Sequence, residues 1–252
     1  MSVKKEHRTA EIIRLIAQQQ KADVAELSRK LAVSQVTIRK DLDELERKGL
    51  IKRQHGFAQI NDSDNIAARL AYHFDEKMKI AEKAVSLIEN GDTVMIENGS
   101  CCALLARVTA DTRENVTIVT NSVYIAEYIR GSASTNVILL GGIYQQDSEC
   151  LVGPMIRDTA ENYNVKYFFA GTDGWSERTG FTNKDSLRAQ AVRDMSHSCE
   201  NMVILTESAK FLGAGTVPMN IKRQPKLVIT DSSLSKETVA TLNNAGIEVR
   251  FA

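Results

Sequence analysis

Ser34-Gln35-Val36-Thr37-Ile38-Arg39-Lys40-Asp41-Leu42, continued by Leu45-Glu46-Arg47-Lys48-Gly49 and Arg53-Gln54-His55-Gly56, decides how the chain reads. Ile38, Leu42 and Leu45 stand at i, i+4 and i+7, so they share one buried helix face. Ser34 is a good N-cap for that helix. Its exposed start carries Gln35, Thr37, Arg39 and Lys40. Short polar side chains at such a position reach base edges in a major groove, and cations reach phosphates.

Upstream, Asp23 followed by Glu26 has the form of a capping box, and Leu27 and Leu31 give the helix it opens an inward face. Only Ala32 and Val33 separate this helix from the next, which suits a helix-turn-helix. Ile12, Ile13 and Ile16 mark an earlier helix over residues 5–19. Downstream, residues 50–57 read as two short strands around a turn, a basic wing. Ser34, Gln35, Thr37, Arg39, Lys40, Arg53 and His55 are therefore the expected contacts to double-stranded DNA. The plain alternative is a three-helix accessory bundle with a solvated basic face. Capping box, short turn, polar helix start and wing together favour the DNA reading.

Charge is divided in the same way. Net charge is zero, but residues 1–60 carry 13 Lys and Arg against 8 Asp and Glu, and residues 61–252 carry 19 against 24. A basic segment attracts phosphate backbones by counterion release. The remainder is globular in composition, at 43% hydrophobic residues. It has no apolar run long enough for a membrane span and no apolar leader, which predicts a cytoplasmic protein. Cys101, Cys102, Cys150 and Cys199 form no C-x-x-C pair and the four histidines are scattered, so no metal or other cofactor is expected.

Residues 61–75 begin polar and read as a linker between a DNA-binding domain over 1–60 and a sensor domain over 76–252. A helix over 76–90, with Ile80, Ala84, Leu87 and Ile88 inward, ends at Asn90-Gly91. Short β-rich runs follow at 93–96, 116–120, 137–140, 166–170, 202–205 and 226–230. Helical stretches, as at 122–130, 155–163 and 185–199, lie between several of them. That alternation predicts an α/β, Rossmann-like domain with a mainly parallel sheet behind a small α+β winged helix-turn-helix domain. Ligands in such sheets bind beyond the carboxyl ends of strands. Those ends read Glu97-Asn98-Gly99-Ser100-Cys101, Thr120-Asn121-Ser122, Leu140-Gly141-Gly142, Gly171-Thr172-Asp173-Gly174 and Thr206-Glu207-Ser208-Ala209-Lys210. Each alone is an ordinary cap or turn; together they favour a site. Trp175 borders that site or fills the core. Cys101 at a helix start invites a nucleophilic reading, but small buried thiols are the plainer one.

The run Ser34–Leu42, with Leu45–Gly49 and Arg53–Gly56, resembles the DNA-binding signature of the DeoR family, bacterial regulators of carbohydrate metabolism that are mostly repressors. Phe57 stands where that family usually shows a second glycine. The later strand ends match the family's sensor domain in order and spacing. That domain is similar to the sugar-phosphate isomerase fold typified by ribose-5-phosphate isomerase. The resemblance implies a phosphorylated sugar or sugar alcohol as effector. It implies Gly99, Ser100 and Cys101 at the phosphate, Asn121 and Ser122 nearby, Asp173 at sugar hydroxyls and Lys210 neutralising anionic charge. Gly142 completes the expected set. Glu97 and Cys101 stand where the family commonly has Asp and Thr, and Thr206-Glu207-Ser208-Ala209-Lys210 where it commonly reads Ala-Asp-Ser-Ser-Lys.

The expected function is a ligand-controlled regulator, a dimer or tetramer with no catalytic residue. The alternative is a sugar-phosphate isomerase with an appended DNA-binding head. Against it, the glycine-rich lysine loop of such isomerases is not evident around Thr182–Asp185, and no general base is assigned.

Overall fold

The computed structural model describes residues 8, 9, 11–13, 15, 16, 19, 21–47, 51–54, 56–60, 64–222 and 224–252. The chain divides into two compact units, Met1–Phe74 and Asp75–Ala252.

In the first unit, helical residues between 8 and 19 bring Ile12, Ile13, Leu15 and Ile16 into a core with Leu27, Ile38, Leu42, Leu45 and Ile51. Helix Val24–Leu31 starts on Asp23, whose Oδ1 accepts the Glu26 N–H at 2.7 Å. The Glu26 side chain does not have the role the capping box gives it. Its carboxylate takes Gln19 Nε2 at 2.8 Å and pairs with Lys30 at 3.1 Å. Ala32 closes the helix in the left-handed conformation, at φ 51°. Such a backbone is unfavourable for a residue with a β-carbon. The Ser28 hydroxyl braces it by donating to Val33 O at 2.6 Å. Ser34 then caps helix Gln35–Arg47 by accepting the Thr37 N–H.

The wing is a hairpin of Ile51–Gln54 and Phe57–Ile60 that turns at Gly56, φ +84°. Phe57, in place of the family's glycine, begins the return strand, and the Lys21 ammonium lies 5.1 Å from its ring centroid. A third strand was not expected. Ala22–Asp23 pairs antiparallel with Ala58 and Phe57, so the wing is tied to the residue that caps the first helix of the motif. The stretch read as a linker holds helix Ile66–Ala71, capped by the Asn65 side chain, and its Ala68 joins the core of this unit.

The second unit is built on a seven-stranded sheet. Its order is Glu248–Phe251, Leu227–Thr230, Cys199–Leu205, Val165–Ala170, Thr93–Ile96, Val116–Thr120, Thr135–Leu139, and every pairing is parallel. Consecutive residues are buried in the central strands, as in Val94-Met95-Ile96 and Phe168-Phe169-Ala170. Both faces are therefore covered, which is the condition for a parallel sheet. The last strand and the helix before it, Lys236–Asn244, were not anticipated. Neither were the hairpin Ile143–Gln145 with Cys150–Val152 and the small sheet of Gly174–Ser176, Gly180–Asn183 and Val217–Pro218.

The chain enters the sheet at Thr93–Ile96 and adds two strands on one side. It then returns to Val165–Ala170 on the other side and continues outward. The direction reverses between Thr93–Ile96 and Val165–Ala170. A crevice opens beyond the carboxyl ends of strands at such a switch point.

Candidate functional site

Helix Gln35–Arg47 presents two faces. Ile38, Leu42 and Leu45 are buried, and so is Asp41, which accepts Arg8 Nε at 2.6 Å and an Arg8 terminal nitrogen at 3.1 Å. This two-pronged pair clamps the back of the helix, a role that is silent in the sequence pattern. Ser34, Gln35, Arg39 and Lys40 are exposed and Thr37 half-exposed on the first turns. Val36, absent from the expected contacts, is exposed among them. An apolar branched side chain there suits a thymine methyl group. Arg53 is engaged with its own unit. Its guanidinium pairs with Asp43 and its N–H donates to Glu46 Oε1 at 2.9 Å, which fixes the wing against the helix. His55 lies outside the described residues.

In the second unit, three of the expected segments converge on the switch point. Glu97 leaves its strand with its N–H on Phe169 O at 2.9 Å, and its Oε2 accepts the Gly171 N–H at 3.1 Å. The two backbones approach so closely that a β-carbon on Gly99 would stand 3.2 Å from Gly171 Cα. Gly99 is the N-cap of helix Ser100–Thr112 and supplies no capping side chain. The first N–H groups of a helix have no intrahelical partner, and here they stand at the positive end of a thirteen-residue helix dipole.

Two ion pairs border this helix start. Lys210 Nζ is 3.9 Å from Asp173 Oδ1, with Lys210 one-third exposed and Asp173 buried. Asp173 Oδ2 also accepts the Lys184 N–H at 3.0 Å. Lys77 Nζ lies 3.1 Å from Glu207 Oε1, and both side chains are under a tenth exposed. The Cys101 thiol sits 4.0 Å from Glu207 Oε2. Burial pushes that thiol far above its ordinary range, and the Glu207 carboxylate pushes it further. A thiol raised in this way is a poor nucleophile. Burial would raise the Asp231 carboxyl, but donation from the Ser208 N–H and hydroxyl and the Ser233 N–H holds it below the usual carboxylate range. Asp231 thus fixes the start of the turn that carries Lys210.

The other expected residues lie further along the sheet. Asn121 and Ser122 end the neighbouring strand and are fully buried. The Ser122 hydroxyl is spent on capping helix Val123–Tyr128. Asn121 Nδ2 donates to Leu151 O at 3.0 Å, while its Oδ1 has no hydrogen-bond partner among the described residues. Gly142 lies past the edge strand, where a β-carbon would come within 2.5 Å of Val152 O, so the hairpin requires glycine. Trp175 packs on the core and lies 5.8 Å from the Phe211 ring.

The Lys77–Glu207 pair was missed by sequence reading. A signal existed: Lys77, Ile80, Ala81 and Ala84 are all buried, at i, i+3, i+4 and i+7. A lysine in that apolar stripe needs a buried anion. Among the described residues no group of three or more His, Cys, Asp and Glu is placed to hold a metal ion, and no helix is long and apolar enough to cross a membrane.

Comparison with known proteins agrees with both halves. The family model of the DeoR-like helix-turn-helix domain matches residues 8–64, and that of the DeoR C terminal sensor domain matches residues 72–232. The HTH-type transcriptional regulator GolR of Listeria innocua is 30% identical over 97% of this chain and 98% of its own. A putative aga operon transcriptional repressor of Escherichia coli O157:H7 is 27% identical over 96% and 92%. Among solved structures, ribose 5-phosphate isomerase A of Methanocaldococcus jannaschii shares 55% of each chain at 18% identity, with a TM-score of 0.41. The relatives named are regulators, which leaves the isomerase alternative without support. With two matched domains in the same order and a relative aligned over nearly its full length, the chain belongs to the DeoR family of helix-turn-helix transcriptional regulators.

Proposed function

We propose that this regulator represses a carbohydrate-utilisation operon and is released from its operator by a phosphorylated sugar or sugar alcohol. The observation that carries the effector reading is the uncapped start of helix Ser100–Thr112 at the switch point, with the Lys210 cation beside it. A phosphate ester bears between one and two negative charges at neutral pH and several acceptor oxygens. The N–H groups at a helix start and one ammonium match it. Asp173 and Glu97 are the acceptors for sugar hydroxyls.

Residues 1–60 read the operator and 76–252 sense the effector, as a homo-oligomer in the cytoplasm. Two-fold symmetry in the protein matches a palindromic or repeated operator. The effector acts only through its difference in affinity between DNA-competent and DNA-incompetent arrangements. Two relatives are named as repressors and one as an operon activator, a balance that favours repression. Deleting the gene should raise transcription of neighbouring carbohydrate genes in the absence of their sugar. Transcripts that fall on deletion would make the protein an activator.

The DNA surface gives a separate expectation. Arg39→Ala and Lys40→Ala should weaken operator binding and flatten its salt dependence, by about 0.9 in the log–log slope for each lost phosphate contact. Affinity measured over a salt series decides. Both side chains are exposed, so a loss of binding would not come from misfolding. Unchanged affinity and slope in both variants would remove this helix face from the interface.

A further inference from the structure

The two edges of the large sheet are unlike. Glu248–Phe251 closes one side and carries a charged pair, Glu248 with Arg250 at 2.7 Å. Charge on an edge strand discourages further strands from adding to it. Thr135–Leu139 closes the other side and reads Thr-Asn-Val-Ile-Leu. It lies in the longest uncharged run of the chain, residues 131–146, although 25% of all residues are charged. It has no proline. An uncharged, β-branched edge that pairs with no further strand among the described residues is a hazard that proteins blunt unless something pairs with it.

Exposed apolar side chains gather beside that edge. Leu139 is 43% exposed, Ile143 61%, Tyr144 48% and Met155 55%. Leu139, Ile143 and Met155 stand together: Met155 Cε comes within 3.2 Å of a β-carbon position on Gly141, two residues from Leu139, and Ile143 Cδ1 within 3.5 Å of one on Gly153, two residues from Met155, while Tyr144, next along its strand, faces the other way. About half of three large side chains is on the order of 300 Å², the size at which an apolar patch begins to mark an interaction site. A standard interface buries about 800 Å² on each partner and is apolar over little more than half of it. Patch and edge strand together have the extent of an interface centre.

We infer that this edge is where a second copy of the chain docks, with strand Thr135–Leu139 pairing antiparallel with its own copy across a two-fold axis and Leu139, Ile143 and Met155 packing around it. The occupant is another copy because the surface is self-complementary. An uncharged edge can pair with itself without bringing like charges together, and an isologous contact needs one patch only. The inference rests on the homo-oligomer reading and adds the surface through which it forms.

The test is sedimentation equilibrium of the full chain at several micromolar concentrations. Asn136 and Ile143 are both exposed, so Asn136→Lys with Ile143→Lys places cations on the surface without touching the core. Met155→Lys, at another exposed position, is a second, independent variant, and Phe251→Lys on the opposite edge is the control. Wild type and Phe251→Lys should associate. The double variant and Met155→Lys should lose at least tenfold in association and sediment at half the wild-type mass or less. An associated wild type whose mass both variants retain would overturn this surface while leaving the homo-oligomer reading intact. A monomeric wild type would overturn both.

Discussion

Lys77→Ala is expected to destabilise the unit Asp75–Ala252 by about 3–5 kcal/mol, the range for breaking one side of a buried ion pair. The cause is what remains. Glu207 keeps a carboxylate in a site that is almost closed to water, with the Cys101 thiol as a weak neighbour. Taking both charges away is different. Lys77→Met combined with Glu207→Leu should recover most of the loss, because an apolar pair of similar volume does not carry the desolvation penalty. Urea unfolding of the three proteins, followed by circular dichroism, measures it. A loss below about 1 kcal/mol for Lys77→Ala would place it with ordinary surface substitutions and remove the pair from the account.

The second large effect belongs to the effector. Lys210→Ala should raise the effector concentration needed to release the operator by roughly ten- to a hundredfold, since a charge-assisted contact contributes about 1.5–3 kcal/mol. Operator affinity without effector should stay near wild type. Lys210 is one-third exposed, and its partner Asp173 retains the Lys184 N–H, so the fold does not depend on it. Titrating effector against a fixed protein–operator complex separates the outcomes. Release at the wild-type concentration would take Lys210 out of the site. A variant that no longer binds DNA would show that its role is structural.

What the sequence disclosed follows from the range of the forces involved. Asp23, Ser28 and Ser34 act within five residues along the chain, so the caps and turn of the helix-turn-helix are local chemistry, and both caps, Asp23 and Ser34, could be read directly. The strands Thr93–Ile96 and Val116–Thr120 were legible to the residue because their apolar runs are bounded by Asp92 and Asn115 and by polar turns. Glu248–Phe251 was not, because two of its four residues are charged and its pairing with Leu227–Thr230 is what makes it a strand. The two-residue strand Ala22–Asp23 exists only through partners 34 or more residues away. The same limit applies to the candidate site. Polar residues at strand ends could be collected from order alone. That Ser122 is committed to a helix cap, that Gly142 answers to Val152, and that Lys77 meets Glu207 are consequences of packing between distant segments.

The central claim is that a phosphate-bearing ligand at the switch point controls DNA binding by this chain. It is tested most directly by adding phosphorylated sugars and sugar alcohols, and their unphosphorylated parents, to a preformed complex with DNA from the neighbouring promoter and following mobility. The account predicts that at least one phosphorylated compound releases the DNA while its parent does not at the same concentration. Release by an unphosphorylated sugar alone, or a complex indifferent to every phosphorylated compound, would contradict it.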